Sequence, residues 1–127
     1  MNKQLDQVKE FHEKFQQSMS DKPSLLSQEE SKLRFRLGEE EVVEYLDAAV
    51  DEDIVEVLDA LADQMYILCG TILKHGLQDM IIPAFNLVHS NNMAKLGPDG
   101  KPIFREDGKI IKPEGFKKVE LITLFKK

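Results

Sequence analysis

Tryptophan is absent from this sequence of 127 residues, and cysteine occurs once, at Cys69. A lone thiol in an apolar stretch excludes an intrachain disulfide and a cysteine metal site, and it suits a reducing cytoplasm. Histidine is scarce as well. A carboxylate-bridged di-iron bundle needs Glu-x-x-His on two helices. Lys9, Ile72 and Asn86 stand three residues before His12, His75 and His89, so that chemistry is excluded. No apolar run approaches the roughly 18 residues that a membrane span requires. The opening stretch, MNKQLDQVKEF, has no apolar h-region, so no secretory signal is expected. A cationic surplus is also missing: the net charge is −6, which argues against a nucleic-acid-binding surface. The expectation is a cytoplasmic protein with neither nucleic-acid nor membrane partners.

What is present is a single-domain length with an ordinary globular composition, 42% hydrophobic and 31% charged. The charge is distributed unevenly. Residues 1–94 carry 8 basic and 18 acidic side chains, whereas residues 95–127 carry 9 and 5. A basic tail thus follows an acidic body, either to fold back on it or to help hold an anionic ligand.

Helical spacing of Val8, Phe11, His12 and Phe15 predicts a first helix from about Lys3 to Gln17. The stretch SDKPS breaks it. SQEE at 27–30 reads as a capping box opening a second helix to about Val50, and DIVE at 53–56 opens a third that ends at KHG. Gly76 there suits a left-handed C-cap. Asp79 is expected to cap a fourth helix to about Lys95, with Pro83 tolerated in its first turn. Beyond Leu96, Asp-Gly pairs at 99–100 and 107–108 flank short apolar runs that fit a small β-hairpin. The expected organisation is a helical domain over residues 1–96, with residues 97–127 forming a hairpin and tail packed on that same domain.

The acids of the second helix do not face away from its apolar residues. At about 100° per residue, Glu40, Glu44 and Glu41 fall near 0°, 40° and 100°, the arc shared by Leu33, Leu37 and Ala48. Phe35, Val42, Val43, Leu46 and Val50 form a second apolar side, which predicts burial from two directions. On the third helix, Glu56, Asp59 and Asp63 likewise border a broad apolar face. Two carboxylates about 6 Å apart repel by roughly 3 kcal/mol at an effective dielectric of about 20. Several such pairs would rival a domain's whole stability of about 5–15 kcal/mol. Water, protons or divalent cations must relieve them, and an all-carboxylate set favours hard ions such as Mg²⁺ or Mn²⁺.

EEVVE at 40–44, followed by EVLDALADQMYILCGT and later by VHSNNMAKLGPDGKPIFREDGKIIKPEGF, resembles the all-α nucleotide pyrophosphohydrolases. That superfamily includes MazG-like proteins, dimeric dUTPases and phosphoribosyl-ATP pyrophosphohydrolase. The resemblance implies an all-α, four-to-five-helix bundle with a short C-terminal hairpin, completed by a second protomer into a homodimer or homotetramer. It implies Mg²⁺-dependent cleavage between the α- and β-phosphates of a nucleoside triphosphate, giving a monophosphate and pyrophosphate. In family terms Glu40, Glu41 and Glu44 form the EExxE set and Asp63 takes the place of the motif aspartate. Ala60 stands where the motif's glutamate belongs; Glu56 or Asp59, one turn earlier on the same face, is expected to replace it.

The expected metal set is therefore Glu40, Glu41, Glu44, Glu56, Asp59 and Asp63. Glu41 and Glu44 are expected to be catalytic, with Glu41 taking a proton from the attacking water. Asn91, Asn92 and Lys95 are candidate substrate contacts, Lys95 as a point charge toward phosphate. The hairpin cations Lys101, Arg105, Lys109 and Lys112 are expected to be solvated strand charges, with closure over phosphates as the alternative reading; Tyr66 reads as a packing residue, and Met65, Met80 and Met93 as core. The competing expectation is a catalytically silent helical oligomerisation or regulatory module whose acids are merely solvated.

Overall fold

Ser27 begins the longest helix as the sequence suggests: its Oγ accepts from the Glu30 amide at 3.1 Å. The computed structural model describes residues 2–125. Four helices, α1 (Asn2–Lys14), α2 (Gln28–Val50), α3 (Ile54–Lys74) and α4 (Ile81–Met93), precede strands β1 (Ile103–Phe104) and β2 (Ile110–Ile111) and a closing 3₁₀ helix, Leu121–Phe125. The all-α class with a short hairpin is the expected one.

The chain divides into two compact units, Met1–Gln78 and Asp79–Lys127. In the first, α3 packs against both α1 and α2. Its core gathers Leu5, Val8, Ala48, Ala60, Cys69, Ile72 and Leu73. The turn from α2 into α3 is short because Asp53 caps α3, its Oδ1 accepting from the Glu56 amide at 3.2 Å. At the far end Gly76 takes φ +69° beneath the Lys22 carbonyl. Glu30 does not complete a reciprocal box; its carboxylate lies 3.8 Å from Lys74 Nζ, which also donates to Ser18 Oγ at 2.9 Å. Arg34 crosses from α2 to α3, donating to Thr71 Oγ1 and the Ile67 carbonyl. Gly70 leaves the space that this guanidinium and the buried His12 ring require.

In the second unit the hairpin pairs Ile103 with Ile111 and Phe104 with Ile110. Arg105 holds its turn through Asp107. The closing 3₁₀ helix packs on α4.

Three expectations are corrected. Asp79 does not cap α4: the N-cap is Met80, without a side-chain bond, because a turn intervenes before Ile81. Met65 and Met93 are about half exposed and Met80 is only partly covered, so none is core. The second apolar side of α2 is uncovered within one chain, with Leu46 59% and Val50 73% exposed. The periodicity was right about apolar character, but packing against α3 covers only one side.

Candidate metal centre

The facing of α2 and α3 brings Glu41, Glu44 and Asp63 together. One carboxylate oxygen from each lies within 4.8 Å of the others. Glu41 and Glu44 are three residues apart on α2 and so share a face; Asp63 comes from the partner helix, ten residues beyond its cap. Glu41 and Asp63 are half-buried and Glu44 is exposed. None of the three pairs with a cation among the described residues.

Glu41 carries the strain of this arrangement. Its Oε2 is shut off from solvent and has no hydrogen-bond partner among the described residues. Desolvation first, then the Glu44 carboxyl beside it and the charges of Glu44 and Asp63, push its carboxyl from 4.5 up to about 7. A carboxyl raised in this way stabilises the metal-free fold below the ordinary carboxylate range. That contribution is lost as pH rises through about 7, where a third negative charge appears among the other two. Either a proton or a cation must answer the orphaned oxygen.

The set suits a hard divalent ion. Mg²⁺ or Ca²⁺ takes oxygen ligands at roughly 2.0–2.6 Å, which places opposite ligands about 4–5 Å apart. Three carboxylates and no nitrogen or sulfur donor match that preference.

The other acids occupy different positions. Glu56 lines a polar cleft of about 310 Å³ together with Glu44, Asp47, Ala48 and Asp51. Glu40 and Asp59 are exposed and lie outside the three-carboxylate group. Ala60 is 1% exposed, so a glutamate there would bury its charge between helices; Glu56 instead reaches the cleft that Glu44 shares. Asp47 and Asp51 were missed in the sequence. Their spacing from Glu44, one and two turns on, was the available signal.

The substrate candidates lie in the second unit. Asn91 donates from Nδ2 to the Lys117 carbonyl at 2.8 Å and accepts the Val119 amide at Oδ1, 3.2 Å away. Both ends of its amide therefore serve the tail backbone. Asn92 and Lys95 line a pocket of about 230 Å³ with Val88, Lys112, Phe116 and Lys118. His89 is exposed, His75 is tied to the Ser24 carbonyl, and Tyr66 packs edge-on against Phe11.

Comparison with known proteins agrees with this arrangement. The family model described as phosphoribosyl-ATP pyrophosphohydrolase matches residues 8–92, a span that holds Glu41, Glu44, Glu56 and Asp63. A solved structure from Exiguobacterium sp. 255-15, provisionally described as an NTP pyrophosphohydrolase, is similar with 30% identity and a TM-score of 0.50. The similarity covers 95% of this chain and 90% of that one. No curated protein matches the sequence.

Proposed function

We propose, from the premise that this chain belongs to the phosphoribosyl-ATP pyrophosphohydrolase family, that it is a Mg²⁺-dependent nucleoside triphosphate pyrophosphohydrolase. It cleaves the α–β phosphate bond to give a nucleoside monophosphate and pyrophosphate. The observation that carries this reading is the unpartnered, buried Oε2 of Glu41 beside Glu44 and Asp63.

Glu41, Glu44 and Asp63 would hold the divalent cation, with Glu56 available at the adjoining cleft; Mn²⁺ is an acceptable substitute. When bound, the cation supplies charge neutralisation on the phosphates and makes a nearby water more acidic. The chain's own part is positioning and proton transfer, since phosphoryl transfer needs little covalent help. Water adds to phosphorus as the α–β bridging bond breaks, and pyrophosphate leaves. Glu41, whose Oε2 has no other partner among the described residues, is the carboxylate suited to accept the water's proton.

The open apolar side supports assembly with a second copy. Phe35, Val42, Leu61, Met65 and Leu68 line a groove of about 830 Å³ along α2 and α3. Fully burying an aliphatic or aromatic side chain stabilises by roughly 1.5–3 kcal/mol, so covering this row would favour a homodimer or homotetramer.

The direct test is a panel of nucleoside triphosphates assayed for pyrophosphate with and without millimolar Mg²⁺. Pyrophosphate release that requires Mg²⁺ is the expected outcome. A panel releasing only orthophosphate, or nothing, would reject the reading and favour the silent module.

A further inference from the structure

A glycine inside a helix weakens it, because alanine holds the same backbone at a lower entropic cost. Gly70 lies within α3 and is buried, so its bare Cα needs a reason. A Cβ there would stand 2.7 Å from Arg34 Nη2 and 3.0 Å from His12 Nε2. Gly70 thus makes room for a guanidinium between α2 and α3. Arg34 Nε donates to Thr71 Oγ1 at 3.0 Å, and its Nη2 donates to the Ile67 carbonyl at 2.8 Å. The Thr71 hydroxyl donates to that same carbonyl at 3.1 Å, which closes a ring of bonds. Two prongs of a rigid fork therefore grip one turn of α3. Arg34 forms no ion pair among the described residues. Its charge is committed to joining two helices.

This grip lies close to the three carboxylates. Ile67 comes one turn after Asp63 on α3, and Arg34 two turns before Glu41 on α2, or about 6 Å and about 10 Å along the helix axes. Packed together and joined by a short turn, α2 and α3 run antiparallel. The turn fixes one end of the pair and Arg34 the other. Between these anchors, Glu41, Glu44 and Asp63 repel one another with their oxygens within 4.8 Å. Without the second anchor that repulsion spreads the helices, and the carboxylates with them.

We propose that Arg34 is a positioning residue for the divalent-cation site, holding α2 against α3 so that the three carboxylates keep the spacing an ion of Mg²⁺ size needs. The inference rests on the reading of those carboxylates as cation ligands, and not on the nucleotide chemistry. Mg²⁺ demands near-ideal octahedral geometry at roughly 2.0–2.1 Å, whereas Ca²⁺ accepts a looser shell at roughly 2.3–2.6 Å. A site freed from its strut should lose Mg²⁺ before Ca²⁺.

The test loads the full-length protein with Mn²⁺ and displaces it with Mg²⁺ or Ca²⁺, the free Mn²⁺ being read by electron paramagnetic resonance. Two variants loosen the grip differently. Gly70→Ala pushes Nη2, the far end of a flexible side chain, off the Ile67 carbonyl while favouring the helix. Gly70 also lies outside the apolar groove that Arg34 and Thr71 line, so its variant leaves that surface intact. Arg34→Lys keeps the charge but has no fork. Each should weaken Mg²⁺ about tenfold and Ca²⁺ less than about threefold, with helical circular dichroism unchanged. The double variant should lose no more than Arg34→Lys alone, because both changes act through one side chain. Gly70→Ala alone decides if Arg34→Lys does not fold. Unchanged Mg²⁺ affinity would overturn the proposal, as would an equal loss for both ions. Additive losses in the double variant would also overturn it, placing the effect of Gly70→Ala on His12. A wild type that binds neither ion sinks the proposal together with the carboxylate reading. A wild type whose Mg²⁺ preference depends on Arg34, but which hydrolyses no nucleotide, keeps this inference and loses only the enzyme.

Discussion

Glu44→Ala should abolish Mg²⁺-dependent pyrophosphate release, a loss on the order of a thousandfold or more, while leaving the helices in place. Glu44 is exposed, so truncation opens no cavity in the core. It removes one of three carboxylates whose oxygens lie within 4.8 Å. Two charges about 5 Å apart repel by roughly 3 kcal/mol at an effective dielectric of about 20, and solvent contact at Glu44 brings this well below that value. Without metal, the variant should therefore melt no lower than the wild type. A lost activity accompanied by a lower metal-free Tm would point to damaged packing instead. Undiminished turnover would remove Glu44 from the mechanism.

Leu68→Glu should break the assembly. Leu68 is 52% exposed in the isolated chain and lines the apolar groove with Val42 and Leu61. A glutamate there is solvated in a monomer but unpaired and buried in a dimer. An uncompensated buried charge costs about 3–5 kcal/mol, or roughly two to four orders of magnitude in dissociation constant. Light scattering should report an oligomer for the wild type and a mass near 14.5 kDa for the variant. Helical content should be unchanged. Equal masses for both would show that this groove is not the subunit contact.

These two sites differ in how legible they were. The helices were readable because Ser27 and Asp53 cap them with side-chain oxygens, and Gly76 stops α3 where its left-handed φ is needed. Asp79 failed as a cap because cap chemistry says nothing of an intervening turn. Glu41, Glu44 and Asp63 could be found because helical spacing and the family motif point to the same residues. Glu40 shares the motif but not the cluster: a helix turns it about 100° away from Glu41. The two-sided burial of α2 was misread for one chain, since apolar periodicity records that a face is to be covered and not by which molecule. Asn91 was read as a candidate substrate contact from its place after the apolar face of the fourth helix and from the family resemblance. Only the coordinates show its amide spent on the tail, a contact across 26 residues.

The most direct test of the metal centre is a Mn²⁺ titration, followed by electron paramagnetic resonance, on the wild type and Asp63→Asn at pH 6 and pH 8. Saturable binding is expected for the wild type, tighter at pH 8, where Glu41 has given up its proton, and at least about tenfold weaker in Asp63→Asn. Equally weak uptake by both proteins, indifferent to pH, would mean that these carboxylates hold no cation.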